Sequence, residues 1–315
     1  MEQNIAICLE LMKQKKSLDE IQLMMGLSDP SFNDLLREVR ARFNIIRKIY
    51  SDGSIYYRAL KNPKEVPKNE IRINLRGNKF HIVFLADPHI GSKYERIDLL
   101  EKIYYEYGAK HNVHVFVNGG DMVEGIYPSN KKKLLESTGA KQVDKVVRVY
   151  PHLPGAYTLV TYGNHDENTE GIDTASYISD RRYDIISLGY NSSIINIADD
   201  SIGVVHKVSM GRVYNMVEQA MIFKAHGHKS RNIQNRIFYV PASSEEHLGN
   251  YEYEPLPGFI DTVLTIEKGK IKRADLTQFA FADGKIRLAN EQSIRVDEER
   301  EKKLILSKKK ENVNI

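Results

Sequence analysis

Five short segments of this sequence combine imidazole, carboxylate and amide side chains at tight spacing. They are Asp87-Pro88-His89, Gly119-Gly120-Asp121, Gly163-Asn164-His165-Asp166, His206 and His226-Gly227-His228. Neutral nitrogen and oxygen donors without sulfur suit Mn²⁺, Fe or Zn²⁺ rather than Ca²⁺, and manganese is the expected ion. Two divalent cations about 3.5–4 Å apart clamp the attacking and leaving oxygens of an in-line displacement at phosphorus, and lower the pKa of a water between them. Holding two cations so close takes a bridging carboxylate. Asp121 is the candidate, because the glycines before it let the backbone turn sharply and free the side chain. Asp87 and His89, read as one extended segment, would point the same way and share one ion. A lone histidine is more often a core or surface residue, and His81, His111, His114, His152 and His247 are read as such.

The elements that must position these groups are strands. Asp87 follows the apolar run Phe84-Leu85-Ala86, Gly119 follows Val115-Phe116-Val117, and Gly163 follows Leu159-Val160-Thr161. His206 ends Val204-Val205, and His226 follows Ile222-Phe223-Lys224. Five loops thus leave carboxyl ends of strands, where sites form in α/β sheets. Helices are predicted over 97–110 and 134–150, and strands over 80–86, 113–117, 156–161, 202–205, 220–224 and 237–240. This βαβ alternation passing into a β-rich stretch predicts an α/β fold with a layered sheet core.

The ordered series D-x-H, G-G-D, G-N-H-D, H and H-x-H resembles the calcineurin-like metallophosphoesterase superfamily over residues 79–289. That resemblance implies a four-layer α/β/β/α sandwich. It implies a first metal on Asp87, His89 and His228, a second on Asn164, His206 and His226, and Asp121 bridging them. It also gives His165 the role of stabilising or protonating the leaving oxygen, with Asp166 orienting it. Two departures stand out. Ala225 precedes His226 where the family usually has glycine, and Lys207 follows His206 where a small residue is common. His206 has the least distinctive motif, and His247 competes for its role. Protein phosphatases of the superfamily carry G-D-x-V-D-R-G; here Gly120-Asp121-Met122-Val123-Glu124-Gly125 lacks the arginine, which argues against a Ser/Thr phosphatase.

Ahead of this region, residues 1–61 read as helix, helix, helix and hairpin. Ile5, Cys8, Leu9 and Met12 fall at helical spacing. Ser17 and Glu20 form a capping-box pattern before a second helix that ends at Gly26. Phe32, Leu35, Leu36, Val39 and Phe43 mark a third helix. Runs at 45–50 and 55–60 flank the turn Ser51-Asp52-Gly53-Ser54. This is the winged-helix order, and it predicts a helix-turn-helix DNA-binding module in which Arg37, Arg40 and Arg42 contact nucleic acid. A protein-interaction or dimerisation module is the alternative, and homodimer formation goes with either. Residues 62–78, opening with Pro63 and Pro67 among lysines, read as a linker, and 290–315 as a charged C-terminal tail.

Composition bounds the rest. A net charge of +4 and a pI near 8.8 permit a polyanionic partner without requiring one. The single cysteine, Cys8, excludes an internal disulfide and a thiolate cluster. No apolar run approaches the roughly 20 residues of a membrane span, and the N-terminus lacks a secretory signal pattern, so a cytoplasmic protein with no membrane partner is expected. A DNA-binding module joined to a phosphoesterase most simply delivers a phosphodiester, which makes a DNA nuclease the leading expectation. The alternatives are a phosphomonoesterase or small-molecule phosphodiesterase with an assembly-only N-terminal module, and a regulator with a vestigial metal site. A nuclease would line its groove with cations, and Lys93, Arg96, Lys131, Lys132, Lys133, Lys229 and Arg231 are the candidates, each of which could equally be a solvated surface side chain.

Overall fold

The computed structural model describes residues 2–43, 45–59, 70–216, 218–228, 231–245 and 256–296. His247, Lys229, the segment 297–315 and residues 62–69 of the expected linker lie outside the described residues. Among the described residues no helix is long and apolar enough to cross a membrane.

The chain opens with α1 (Glu2–Lys13), α2 (Leu18–Met25) and α3 (Asp29–Arg42), followed by the antiparallel hairpin β1 (Ile45–Tyr50) and β2 (Ile55–Ala59). Each helix buries one face: Ile5, Cys8 and Leu11 on α1, Leu18 and Ile21 on α2, and Phe32, Leu35, Leu36 and Val39 on α3. After β3 (Glu70–Asn74), strands and helices alternate: β4 (Lys79–Leu85), α4 (Ile97–Glu101), β5 (Val115–Asn118), α5 (Gly139–Val149), β6 (Tyr157–Tyr162), α6 (Thr174–Arg181) and β7 (Ile185–Tyr190). Helix α4 continues as a π-helical stretch over Lys102–Gly108. The remainder is strand-rich, with β8 (Ser192–Ile197), β9 (Asp200–Val205), the short α7 (Met210–Asn215), β10 (Met221–Lys224), β11 (Arg231–Ile233) and β12 (Ile237–Tyr239). A meander of β13 (Gly258–Glu267), β14 (Lys270–Ala282) and β15 (Lys285–Arg295) ends it.

Two sheets form. One runs β15-β14-β13-β4-β5-β6-β7, with β4 to β7 parallel; the other runs β11-β12-β10-β9-β8-β3-β1-β2. Side chains alternate along β4 as a doubly covered strand requires. Phe80, Ile82 and Phe84 enter a core shared with Ile195, Ile202, Val204 and Phe223 of the second sheet, while Val83 and Leu85 face Leu99, Ile103, Val143 and Ile178 of the helices. Across the sheets the Phe84 and Phe223 rings stack at 3.4 Å, directly beneath the turns that carry Asp87 and His226. On the outer face of the second sheet, Val205, Ile222 and Ile237 are covered by Val213 of α7. The layering is helices, sheet, sheet and one short helix.

Three expectations change. Residues 70–74 lie in the segment read as linker, yet Glu-Ile-Arg-Ile-Asn alternates, buries Ile73 and pairs in parallel with both β1 and β8. The N-terminal hairpin is therefore an extension of the second sheet, and Ile5, Phe32 and Tyr57 share one core with β4 and β9. The helix predicted from 134 starts at Gly139, because Leu134 bridges to Ser92 in extended form and Thr138 caps the helix from outside. Finally, β15 carries the first sheet through Arg295, past the boundary read at 289.

Candidate metal centre

The backbone after β4 and β5 stays paired beyond the strands. Asp87 N donates to Gly120 O at 2.9 Å, His89 N to Asp121 O at 3.0 Å and Ile90 N to Met122 O at 3.0 Å. These turns run side by side and bring two carboxylates and a histidine to one end of the sandwich. Asp87, His89, Asp121, His226 and His228 all hold φ between 45° and 68°. Side-chain-bearing residues enter this left-handed region at a cost of about 1–3 kcal/mol each, and such strain collects at functional sites. The expectation of an extended Asp87–His89 segment is therefore corrected: both residues are left-handed, and a pair of turns aims their side chains.

The candidate donors fall into overlapping groups, within each of which the ligand atoms lie within 4.8 Å of one another: Asp87, His89 and His228; His89, Asp121 and His165; Asp121, His206 and His226. His89 Nε2 and His228 Nε2 are 3.4 Å apart, and Asp87 Oδ1 is 3.9 Å from His228 Nε2. Asp121 Oδ2 lies 2.9 Å from His206 Nε2 and 3.9 Å from His89 Nε2, so it faces both ends of the cluster. Asp87 Oδ1 and Asn164 Oδ1 are buried without a hydrogen-bond partner. Leaving such oxygens unsatisfied is costly, and a cation would satisfy them. The residues present thus fit divalent metal.

His206 is fully buried and has a fixed tautomeric frame, since Nδ1 must donate to the carbonyl of Gly119 at 2.8 Å, leaving Nε2 toward Asp121. Burial disfavours its charged form, but the Asp121 carboxylate outweighs burial, and its pKa rises to about 9. Burial likewise pushes Asp121 up, yet His206, followed by His89 and His165, holds it well below the usual carboxylate range. Burial and the His206 charge bring His226 down to about 4, which leaves it a neutral donor. A Cβ on Gly163 would sit 2.6 Å from His206 Nε2, so glycine there makes room for the ring. A Cβ on Gly119 would sit 2.7 Å from the Ala225 methyl; glycine at 119 accommodates the alanine that departs from the family pattern.

His165 lies beside this cluster, its ring edge-on to His89 at 4.7 Å. The expectation that Asp166 orients it is corrected. His165 Nδ1 donates to the carbonyl of Glu124 at 2.5 Å, whereas the Asp166 carboxylate accepts from Gly163 N at 2.8 Å and Val123 N at 3.1 Å. Asp166 ties two loops together from a fully buried position, and burial, then the Asp121 charge, raises its pKa to about 7. Glu124 was read in sequence only as part of a motif lacking its arginine. Its Oε2 stands 3.0 Å from His89 Nδ1 and its Oε1 accepts from Asn130 Nδ2 at 2.8 Å, so this one residue orients both His89 and His165. Lys224 Nζ donates to the carbonyls of His206 and Val208 at 3.0 and 2.9 Å and fixes the turn after β9. Asn118 Oδ1 accepts from Gly120 N at 2.9 Å and fixes the turn before Asp121.

The three N-terminal arginines do not join this site and are not free cations. Arg37 pairs with Asp34 at 2.8 Å, and Arg42 with Glu38 at 3.1 Å and Glu2 at 2.5 Å. Arg40 donates to Leu36 O at 3.4 Å and lies 4.0 Å from Asp180. Helix α3 is also docked, since Asn33 Oδ1 accepts from Tyr183 N at 2.6 Å and Asp29 meets His152 at 3.1 Å. The hairpin turn lies at the opposite end of the sheets from the metal centre, where Tyr157 at the start of β6 donates to Tyr50 O.

Two packed sheets with nitrogen and oxygen donors converging from strand ends make a scaffold for metal-assisted hydrolysis. The chain belongs to the calcineurin-like phosphoesterases, metal-dependent phosphoester hydrolases, whose family profile matches residues 80–258. Solved structures similar to it include vacuolar protein sorting 29 from Cryptosporidium parvum, at 12% identity and TM-score 0.43, covering 70% of this chain and 100% of that one. A single mutant of Vps29 from Entamoeba histolytica matches at 12% and 0.43, covering 69% and 100%. GAP50, the anchor in the inner membrane complex of Plasmodium, matches at 9% and 0.45, covering 70% and 89%. No curated protein matches the sequence.

Proposed function

We propose that this phosphoesterase cleaves phosphodiester bonds in DNA. Asp87, His89 and His228 would hold one cation, Asn164, His206 and His226 the other, and Asp121 would serve both; manganese is the proposed ion. Bound there, the metals would supply Lewis-acid stabilisation of phosphoryl charge and lower the pKa of water. The protein's own part is positional and protonic. Glu124 sets the planes of His89 and His165, and His165, with Nδ1–H committed to the Glu124 carbonyl, keeps Nε2 for the leaving oxygen.

The observation that carries the nucleic-acid reading is the rim beside the centre. The turn after His89 and the loop after Glu124 are joined by Lys93 N donating to Lys133 O at 2.8 Å, which places Lys93, Lys131 and Lys132, all exposed, on one edge. A phosphate flanked by further phosphates suits such an edge; a lone monoester does not need it. Arg96 is already matched by Asp98 and Glu245, and delivery of DNA by α3 is not supported, given its paired arginines.

The test is Mn²⁺-dependent hydrolysis of linear DNA, circular single-stranded DNA and bis-p-nitrophenyl phosphate, with His165→Ala as the inactive control. Cleavage of DNA by the wild type alone supports the reading. Hydrolysis of the small diester with both DNAs intact would leave a phosphodiesterase and remove the nuclease.

A further inference from the structure

A second surface carries chemistry that the metal centre does not use. A groove of about 970 Å³ opens between the end of α1, the end of α3 and the β1–β2 hairpin. Its walls include Phe43, Tyr50, Tyr56, Lys15, Lys48 and Arg76, and among the described residues no aspartate or glutamate lines it. The arrangement follows from strand register. Lys48 and Tyr56 are cross-strand partners, and Tyr50 stands two residues along from Lys48, so all three share one face of the hairpin. The opposite face carries Ile49 and Ile55 into the core, which fixes the groove-facing set in place.

Two of the rings meet edge to face. Tyr50 and Tyr56 lie 5.5 Å apart at 84°, and the Arg76 guanidinium covers the Tyr50 ring at 4.1 Å. Arg76 is also 3.4 Å from Asp52, so it contributes a flat stacking surface more than net charge. Phe43 is 41% exposed at the groove's mouth, where a large apolar ring gains nothing from water. Lys15 and Lys48 supply the net charge.

We propose that this groove binds single-stranded nucleic acid, with unpaired bases stacking on Tyr56, Phe43 and the Arg76 guanidinium that covers Tyr50, and phosphates meeting Lys15 and Lys48. Rings without carboxylates, interleaved with lysines, match a ligand that has a flat apolar face and a negative charge in every unit. A duplex hides those faces, and an acidic peptide has no such repeat. The inference goes beyond the hydrolytic reading and does not depend on it, because binding is measured with no metal present.

The experiment is fluorescence anisotropy of the full-length protein with a labelled oligo-dT of about 12 nucleotides in EDTA over a salt series, an oligomer within the span of a single-strand site. Tyr56→Ala should weaken binding by about 5- to 150-fold, the range for losing one stacked base. Lys48→Gln should reduce the slope of log affinity against log salt by about 0.7. Thermal unfolding of each variant serves as the folding control, and if Tyr56→Ala does not fold, the Lys48→Gln slope decides alone. Unchanged affinity and slope would overturn the proposal. So would a lowered melting midpoint with unchanged affinity, which would show that the groove holds a piece of the chain itself. Equal weakening of a matched duplex would remove base stacking as the binding mode.

Discussion

The metal centre and the N-terminal helices treat local stereochemistry in opposite ways. At the centre, five side-chain-bearing residues occupy left-handed backbone, Asp87 Oδ1 and Asn164 Oδ1 are buried without a hydrogen-bond partner, and the His206 ring is buried against the Asp121 carboxylate. In the helices, Ser17 Oγ accepts from Glu20 N while the Glu20 carboxylate accepts from Ser17 N, Gly26 closes α2 in the left-handed conformation, and Arg42 is paired twice. The first region gives up stability for placement; the second follows local preference apart from Lys15, whose φ is 59°. Regions that break local rules while the rest of a chain obeys them are where function is concentrated.

The contrast can be attacked from its strongest side first. His165→Ala should lower the rate on bis-p-nitrophenyl phosphate by about 10²–10⁴-fold, the usual contribution of a positioned acid, with metal content by elemental analysis unchanged. A rate within a few-fold of wild type would remove His165 from the chemistry. Glu124→Gln keeps its shape but weakens its hold on His89; metal affinity should fall by about 10- to 100-fold in a calorimetric titration. Unaltered affinity would reduce Glu124 to packing.

Proton and metal compete for His206 Nε2. Because the metal-free imidazolium has its pKa raised to about 9, metal affinity should climb by about tenfold per pH unit below that value and then level off. The ion pair's contribution to metal-free stability has the reverse trend: full below the ordinary histidine value of 6.5, and lost as pH rises through about 9. Metal affinity that is flat with pH would show that His206 is not a ligand. The smallest effect belongs to the other region. Ser17→Ala should cost about 1 kcal/mol in urea unfolding and leave the hydrolytic rate untouched. A change in rate would mean the two regions are coupled.

Much of the candidate centre was legible because donor types are rare and each followed a recognisable apolar run; Asp87, His89, Asp121, His165, His206, His226 and His228, which the fold brings together, were all candidates from sequence. Directions were less legible. Whether Asp166 or the Glu124 carbonyl meets His165 depends on how a chain leaves a left-handed turn, which residue identity does not specify. Glu124 was overlooked because its partner lies on another loop. In the fold, β4 and β5 were readable as apolar runs buried on both faces, whereas β3 was masked by its charged surroundings, and Arg37, Arg40 and Arg42 suggested a nucleic-acid face before their acidic neighbours Asp34, Glu38 and Glu2 were placed beside them.

The pairing of β1 with β3, and of β3 with β8, has a consequence for how the molecule comes apart. Cutting the chain after residue 59 would strip β3 of its neighbour, leaving a bare strand edge open to pairing with other chains and uncovering Ile73. The N-terminal residues are therefore not a detachable cassette. Heating should melt both regions in one cooperative transition, and shuffling this module onto another phosphoesterase would require transplanting the sheet edge that receives it.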